Sequence, residues 1–320
     1  MKKIALILPY FGKLPEFFQV WLDSCRANPT IDWLVFTDDE SAFDYPPNVR
    51  RTLTTFEALR KRIQTLFPFP ICLPRPYKLC DYKCAYGLIF KKELIGYDFW
   101  GYCDCDLVWG DIRKFVTDSI LEKYDRIFSR GHLTLIRNND EGVRFFTKKA
   151  EGILAYEKVF SSPEGFSFDE WNGTSLLWKK FNDKRFFDEI LFDDITYSKK
   201  HFVSYQKVFR RMPREPKTDV CFIWKNGTLK RYFRGGSEET LYAHFQKRPL
   251  RIEFDLSKHR SQNGWGYIFI PDAVLPFDEK WETDEALRHA YCRPKLIYFQ
   301  YWRIRLSNLK KKILKRLSIK

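Results

Sequence analysis

Phe99-Trp100-Gly101-Tyr102-Cys103-Asp104-Cys105-Asp106 is the stretch that decides how this chain reads. Its first five residues carry no charge, the pattern of a strand buried on both faces of a parallel sheet. Gly96 stands just ahead of it, where a helix C-cap glycine belongs, and Tyr77 to Leu94 read as the helix it closes. The run ends in two aspartates. Side chains at i and i+2 of a strand project to one face, so two carboxylates are expected side by side at the carboxyl end of a buried strand. Each loses solvation there, and the like charges repel. A divalent cation removes both penalties, and paired carboxylate oxygens suit Mg²⁺ or Mn²⁺. Open α/β sheets bind their ligands beyond the carboxyl ends of the strands. An Asp-x-Asp string also arises in solvated turns. The apolar run before this one and Leu107-Val108-Trp109-Gly110-Asp111 after it set it apart.

Toward the N-terminus, residues 3–8 read as a first strand and 16–27 as a helix. Residues 32–37 read as a second strand ending in Asp38-Asp39. Strand–helix–strand predicts a parallel, right-handed crossover. Pro68, Pro70, Pro74 and Pro76 predict an extended loop. Beyond residue 130 the pattern weakens. Leu133–Ile136 reads as a strand, 140–158 as helical, and 202–255 as short alternating segments, with a hairpin about Asn226-Gly227. There is no internal repeat and no low-complexity linker, so the expectation is an α/β domain with a mixed C-terminal half.

The chain has 320 residues, 30 Phe, 17 Tyr and 10 Trp, a composition that excludes a disordered protein. Eight cysteines in this length do not make a disulfide scaffold. The N-terminal apolar run Ile4–Leu8 stops at Pro9-Tyr10-Phe11-Gly12, too short for a secretory leader, and no stretch approaches a membrane span. These features predict a cytoplasmic protein with reduced thiols. Cys80, Cys84, Cys103 and Cys105 are read as buried thiols rather than a zinc site. No phosphate-binding Gly-Lys-Ser/Thr loop, dinucleotide Gly-x-Gly-x-x-Gly or Gly-x-Ser-x-Gly elbow occurs.

The formal net charge is +15, and eight of the basic residues lie between Arg303 and Lys320, where there is no acid. Trp302, Leu306, Leu309, Ile313 and Leu317 recur there at helical spacing. Together these predict a basic amphipathic tail over 301–320 that lies on an anionic membrane surface. Concentration of the charge in this tail, away from any groove-sized patch, argues against nucleic acid as a partner.

The segment Gly96–Asp111 resembles the Asp-x-Asp region of GT-A-type glycosyltransferases. It is most similar to an uncharacterised bacterial family assigned to polysaccharide biosynthesis. Tyr77-Lys78-Leu79-Cys80-Asp81-Tyr82-Lys83, Pro9-Tyr10-Phe11 and Phe36-Thr37-Asp38-Asp39 share that resemblance. So, more loosely, do Gly131–Asn138, Phe168-Asp169-Glu170 and Tyr242–Lys247, so that residues 3 to 250 are covered.

The resemblance implies a GT-A-like, Rossmann-type mixed sheet flanked by helices. One catalytic domain would span 1–300, with a nucleotide-binding half over about 1–130 and an acceptor-side half over about 131–300. It implies a metal-dependent transfer of sugar from a nucleotide-sugar donor, UDP-linked by preference, to a glycan or lipid-linked acceptor. Pro9, Tyr10, Phe11, Thr37 and Asp38 would meet the nucleotide. Lys78 and Asp81 would face the sugar-nucleotide from one helix face, with Lys83 off that face. Asp104 would meet the ribose or the water around the ion, Asp106 the Mn²⁺ or Mg²⁺ directly, and His244 would be a third ligand. Asp169 or Glu170 would serve as the base for an inverting transfer. Arg137, Arg231 and Arg234 are either diphosphate contacts or surface cations. The rival readings are a non-catalytic nucleotide-sugar or glycan-binding protein on the same fold, and a basic polyanion-binding protein.

Overall fold

The computed structural model describes residues 1–170, 172–196, 201–204, 217, 218, 220–233, 235–246, 248, 250–260, 265–279, 302, 306, 307, 309, 310 and 313. The chain forms two compact units. The first is built from Met1–Cys105 and Ile112–Ile190. The second comprises Asp106–Asp111 together with the described residues of 191–207 and those beyond 212.

The first unit is organised on a seven-stranded sheet. Four parallel strands make one side of it: β1 (Ile4–Tyr10), β2 (Ile31–Thr37), β3 (Val49–Leu53) and β4 (Phe99–Cys103), in the spatial order β3-β2-β1-β4. Leu133–Arg137 pairs antiparallel with β4, Arg126–Arg130 lies antiparallel beyond it, and Phe186–Phe187 closes the edge. The sheet is therefore mixed. Helices flank it, among them α1 (Phe18–Arg26) and α2 (Phe56–Gln64). This is the α/β class expected from the apolar runs. β1 and β4 are buried for the reason read in the sequence: Ala5, Ile7, Trp100 and Tyr102 face a core that also takes in Leu34, Tyr82, Phe160 and Trp178.

Three expectations about local structure are corrected. The stretch 77–94 is not one α-helix. Pro76–Ala85 is a 3₁₀ helix, followed by a short α-helix at Tyr86–Ile89. Three residues per turn bring i and i+3 into line, which suits the bond from Lys78 Nζ to Asp81 Oδ2 at 2.8 Å. The helix over 140–158 is broken. Asp140–Arg144 and Tyr156–Phe160 are separate, and between them Lys148 is extended and Gly152 has a φ of 76°. Finally, β4 ends at Cys103, so Asp104 lies beyond the strand and Asp106 in a bend, and the alternation rule does not govern them.

In the second unit a six-stranded sheet runs in the order Gly236–Glu239, Thr228–Phe233, Cys221–Lys225, Gly266–Ile270, Ala273–Pro276, Arg251–Ile252. Ile223, Ile268, Ile270 and Leu275 share its core. The expected hairpin is present: Lys225 pairs with Thr228 across Asn226 (φ 50°) and Gly227 (φ 81°), the two positive dihedrals of a type I′ turn. A smaller sheet joins Leu107–Trp109, Tyr242–His244 and Asp193–Asp194. Of the C-terminal tail, Trp302, Leu306, Leu309 and Ile313 are helical and exposed, while most of the basic residues, and Arg234, lie outside the described residues. Among the described residues no helix is long and apolar enough to cross a membrane.

Gly101 at the middle of β4 sets how closely the strands pack. A Cβ there would stand 2.2 Å from the Thr134 carbonyl oxygen and 2.9 Å from Leu6 Cδ2. Gly101→Ala is expected to lower stability by about 1–3 kcal/mol through overpacking. The readout is a lower urea midpoint at unchanged m-value. An unchanged midpoint would mean that β4 and its antiparallel neighbour are not in this contact.

Candidate functional site

In the first unit, the carboxyl ends of the parallel strands β1, β2 and β4 bring Tyr10, Thr37 and Asp104 to one edge of the sheet. Pro9, Tyr10 and Phe11 are half-buried there, and the Phe11 ring packs edge-on against Phe56. Thr37 is buried. Asp38 Oδ1 accepts from the Gly12 amide at 2.7 Å, and Asp39 Oδ2 accepts from the Leu14 amide at 2.6 Å. The two aspartates thus fold the loop after β1 back onto the end of β2.

Asp104 has a cationic partner. Lys83 Nζ donates to Asp104 Oδ1 at 2.6 Å and to the Gly131 carbonyl at 2.9 Å. Burial opposes the lysine charge, yet Asp104 above all outweighs it and holds the Lys83 pKa well above its ordinary value. The 3₁₀ geometry explains the placement, since Lys78 and Asp81 share one face of the helix and Lys83 leaves from another. The sequence reading ranked Lys83 below its neighbours. The structure joins it to the first aspartate of the motif.

Asp169 and Glu170 stand against the same turn. Glu170 Oε1 accepts from the Gly131 amide at 2.6 Å. A Cβ on residue 131 would come within 2.7 Å of Asp169 Oδ2, so only glycine admits the two acids this close. Asp169 is buried. Burial, reinforced by the Glu170 charge and opposed by Lys83, pushes its pKa well above the usual carboxylate range. The segment carrying these acids is braced from several sides. Buried Arg126 donates to the Asp169 carbonyl at 3.3 Å and to Ser175 Oγ at 2.9 Å. Asp81 accepts from the Phe166 and Phe168 amides at 3.0–3.2 Å.

Lys78 and Asp81 sit inside this brace. Both are buried, and Lys78 Nζ donates to Asp81, to the Val159 carbonyl at 3.0 Å and to the Glu164 carbonyl. All three ammonium donors are used within the protein. Arg137 is likewise committed, to Asp125 and to carbonyls of Leu121, Glu122 and Tyr124.

The second unit holds the other part of the motif, because the chain passes from one unit to the other between Cys105 and Asp106. Leu107–Trp109 pairs antiparallel with Tyr242–His244, and this register brings His244 beside the start of the strand. His244 Nε2 lies 3.2 Å from Asp106 Oδ1, and its Nδ1 lies 2.9 Å from Asp194 Oδ1. Burial disfavours a charged imidazole here, but Asp106 and then Asp194 overcome it and raise the His244 pKa well above the ordinary value. The donor set fits a divalent ion. An oxygen and an imidazole nitrogen 3.2 Å apart match adjacent ligands of an octahedral ion, which at about 2.1 Å from the metal stand about 3 Å from each other. Asp106 and His244 therefore come together. Asp194, which the sequence reading did not single out, stands with them. Arg231 is not a surface cation. It is buried against Asp193, with Nη1 to Oδ1 at 2.6 Å.

The chain belongs to the family described as "Family of unknown function (DUF6625)", whose model matches residues 6–290. No curated protein sequence matches it. Two solved structures share distant likeness. The glycosyltransferase GlyE of Streptococcus pneumoniae TIGR4 is 10% identical with a TM-score of 0.30, over 59% of this chain and 45% of that one. Mouse xyloside xylosyltransferase 1, in its apo form, is 11% identical with a TM-score of 0.35, over 61% of this chain and 88% of that one. The chain thus spans less than half the length of the streptococcal enzyme, and neither likeness is close enough to bear on activity.

The raised Asp169 pKa gives a signed pH effect. Below about pH 4 the carboxyl is protonated in folded and unfolded chains alike. As pH rises, the unfolded chain ionises first, and stability is lost until the folded group ionises too. Asp169→Asn removes that loss. Relative to wild type, the variant is expected to gain stability as pH rises above about 4, measured by urea unfolding at each pH. A relative stability that stays flat or falls over this range would contradict a raised pKa at Asp169.

Proposed function

We propose that this chain is a metal-dependent glycosyltransferase. It moves a sugar from a nucleotide-sugar, UDP-linked by preference, to a glycan or lipid-linked acceptor of a bacterial surface polysaccharide. The observation that carries the reading is the buried His244 imidazole held against Asp106, three residues after the buried strand β4 ends at Cys103. A histidine and a carboxylate are a ligand pair for Mn²⁺ or Mg²⁺. Asp106 and His244 are the proposed ligands, with Asp104, two residues earlier in the chain, directed to the donor. The chemistry such an ion supplies is neutralisation of charge on the departing diphosphate.

The chain's own groups do the rest. Lys83 fixes the Asp104 carboxylate. Pro9, Tyr10, Phe11, Thr37 and Asp38, at the carboxyl ends of β1 and β2, take the nucleotide. Lys78 and Asp81 clamp the segment that carries Asp169 and Glu170. An acceptor hydroxyl must give up its proton in an inverting transfer. Asp169, whose proton affinity is raised, and Glu170 beside it are the groups proposed to take it. The basic tail holds the enzyme at an anionic membrane surface on the cytoplasmic side. Eight Lys/Arg after residue 302 and the exposed apolar residues Trp302, Leu306, Leu309 and Ile313 support that part of the reading.

UDP, GDP, CDP and ADP, each with and without Mn²⁺, test the site by thermal shift. One nucleotide is expected to stabilise the protein only with metal, by about 2.7 kcal/mol at a hundred times its Kd. Asp106→Asn is expected to abolish the shift and to lower turnover by about 100-fold or more. A shift that needs no metal and survives Asp106→Asn contradicts the proposal, and binding without any sugar transfer favours a carrier on the same fold.

Flotation with vesicles containing phosphatidylserine tests the tail. Changing Lys310, Lys311 and Lys312 to Glu is expected to weaken partitioning by about 3 kcal/mol, roughly 100-fold. Partitioning that is unaltered by these changes, or by salt, would rule out electrostatic attachment.

A further inference from the structure

His244 is a ligand only if its imidazole turns the correct nitrogen outward, and the second unit contains a device for this. Asp193–Asp194 pairs in parallel with Tyr242–His244, with Asp194 directly opposite His244. Neighbouring residues of a strand face opposite ways. Asp193 turns to one side, fully buried, and accepts from Arg231 Nη1 at 2.6 and 2.8 Å and from Ser204 Oγ. Asp194 turns to the other side. A slip of one residue would exchange the two aspartates, and the buried Asp193–Arg231 pair holds the strand against it. Asp194 Oδ1 then lies 2.9 Å from His244 Nδ1 and also accepts from Gln246 Nε2 at 2.9 Å.

A carboxylate on Nδ1 keeps the proton there and leaves the Nε2 lone pair for a cation. Nε2 is the atom that faces Asp106. We propose that Asp194 is the positioning residue of the metal site. It fixes the ring angle and tautomer of His244 and raises its basicity, while Gln246 holds the Asp194 carboxylate in place. The inference rests on the reading of Asp106 and His244 as ligands. It adds a residue that acts through one of them.

The test uses the full chain and Mn²⁺ alone. Binding is followed by electron paramagnetic resonance, and a pulsed measurement detects an imidazole nitrogen coupled to the ion. Wild type is expected to show that coupling and His244→Ala to lose it. Asp194→Asn keeps the shape and removes the charge. It is expected to raise the Mn²⁺ Kd by about 10–100-fold and to weaken the nitrogen coupling. Gln246→Leu is expected to raise the Kd by a smaller factor. If wild type couples to nitrogen but Asp194→Asn binds as tightly, the inference fails and the ligand reading stands. If wild type shows no nitrogen coupling, both fail. Should Asp194→Asn not fold, Gln246→Leu decides, and an unchanged Kd overturns the role of the Asp194–Gln246 pair.

Discussion

A carboxylate taken out of water must be given a positive partner or a proton. That requirement shapes the core of this protein. Asp81 is met by Lys78 and two backbone amides, Asp104 by Lys83, and Asp193 by Arg231. Asp169 has its pKa raised by burial and then by the Glu170 charge. Asp106 and Asp194 share one imidazole. The first three are closed pairs whose partners are fixed within the chain. The last arrangement is of another kind, since an imidazole and a carboxylate in contact are donors that suit a divalent cation.

The two fully buried pairs, Lys78–Asp81 and Arg231–Asp193, act as fasteners and not as binding groups, whereas Asp104 stays partly exposed beside Lys83. Lys78 and Asp81 tie the segment 159–168 to the 3₁₀ helix, which positions Asp169 and Glu170 against Gly131. Breaking one of them would leave an uncompensated charge in the interior, far more costly than losing a surface ion pair. Local irregularity gathers in the same region. Phe128 takes a φ of 68°, and the register between Arg126–Arg130 and Leu133–Arg137 shifts between Ile127 and Arg130. Bulges and positive dihedrals of this kind recur beside functional sites, where they re-aim side chains.

Much of this was legible in the sequence, for physical reasons that can be named. Unbroken apolar runs found β1, β2 and β4, because burial on both faces demands them. Asn226-Gly227 found a hairpin, because few other residues accept two positive dihedrals. Asp106 and His244 were paired through resemblance, and the strand register brings them together. Other features were hidden. A buried 3₁₀ helix has no amphipathic period to read, and nothing local says that Lys83, off the face of Lys78 and Asp81, meets Asp104. Asp104 and Asp106 were placed on a strand that stops one residue earlier. Asp193-Asp194 carries no signal in the sequence, because nothing local says that one aspartate meets Arg231 and the other His244.

The central claim is that Asp106 and His244 hold a divalent ion that serves a nucleotide diphosphate. Anomalous diffraction from crystals grown with UDP and Mn²⁺ tests it most directly. One manganese peak is expected, ligated by an Asp106 carboxylate oxygen and His244 Nε2 at about 2.1–2.2 Å and in contact with the diphosphate. A bound nucleotide with no manganese at these two residues would contradict it.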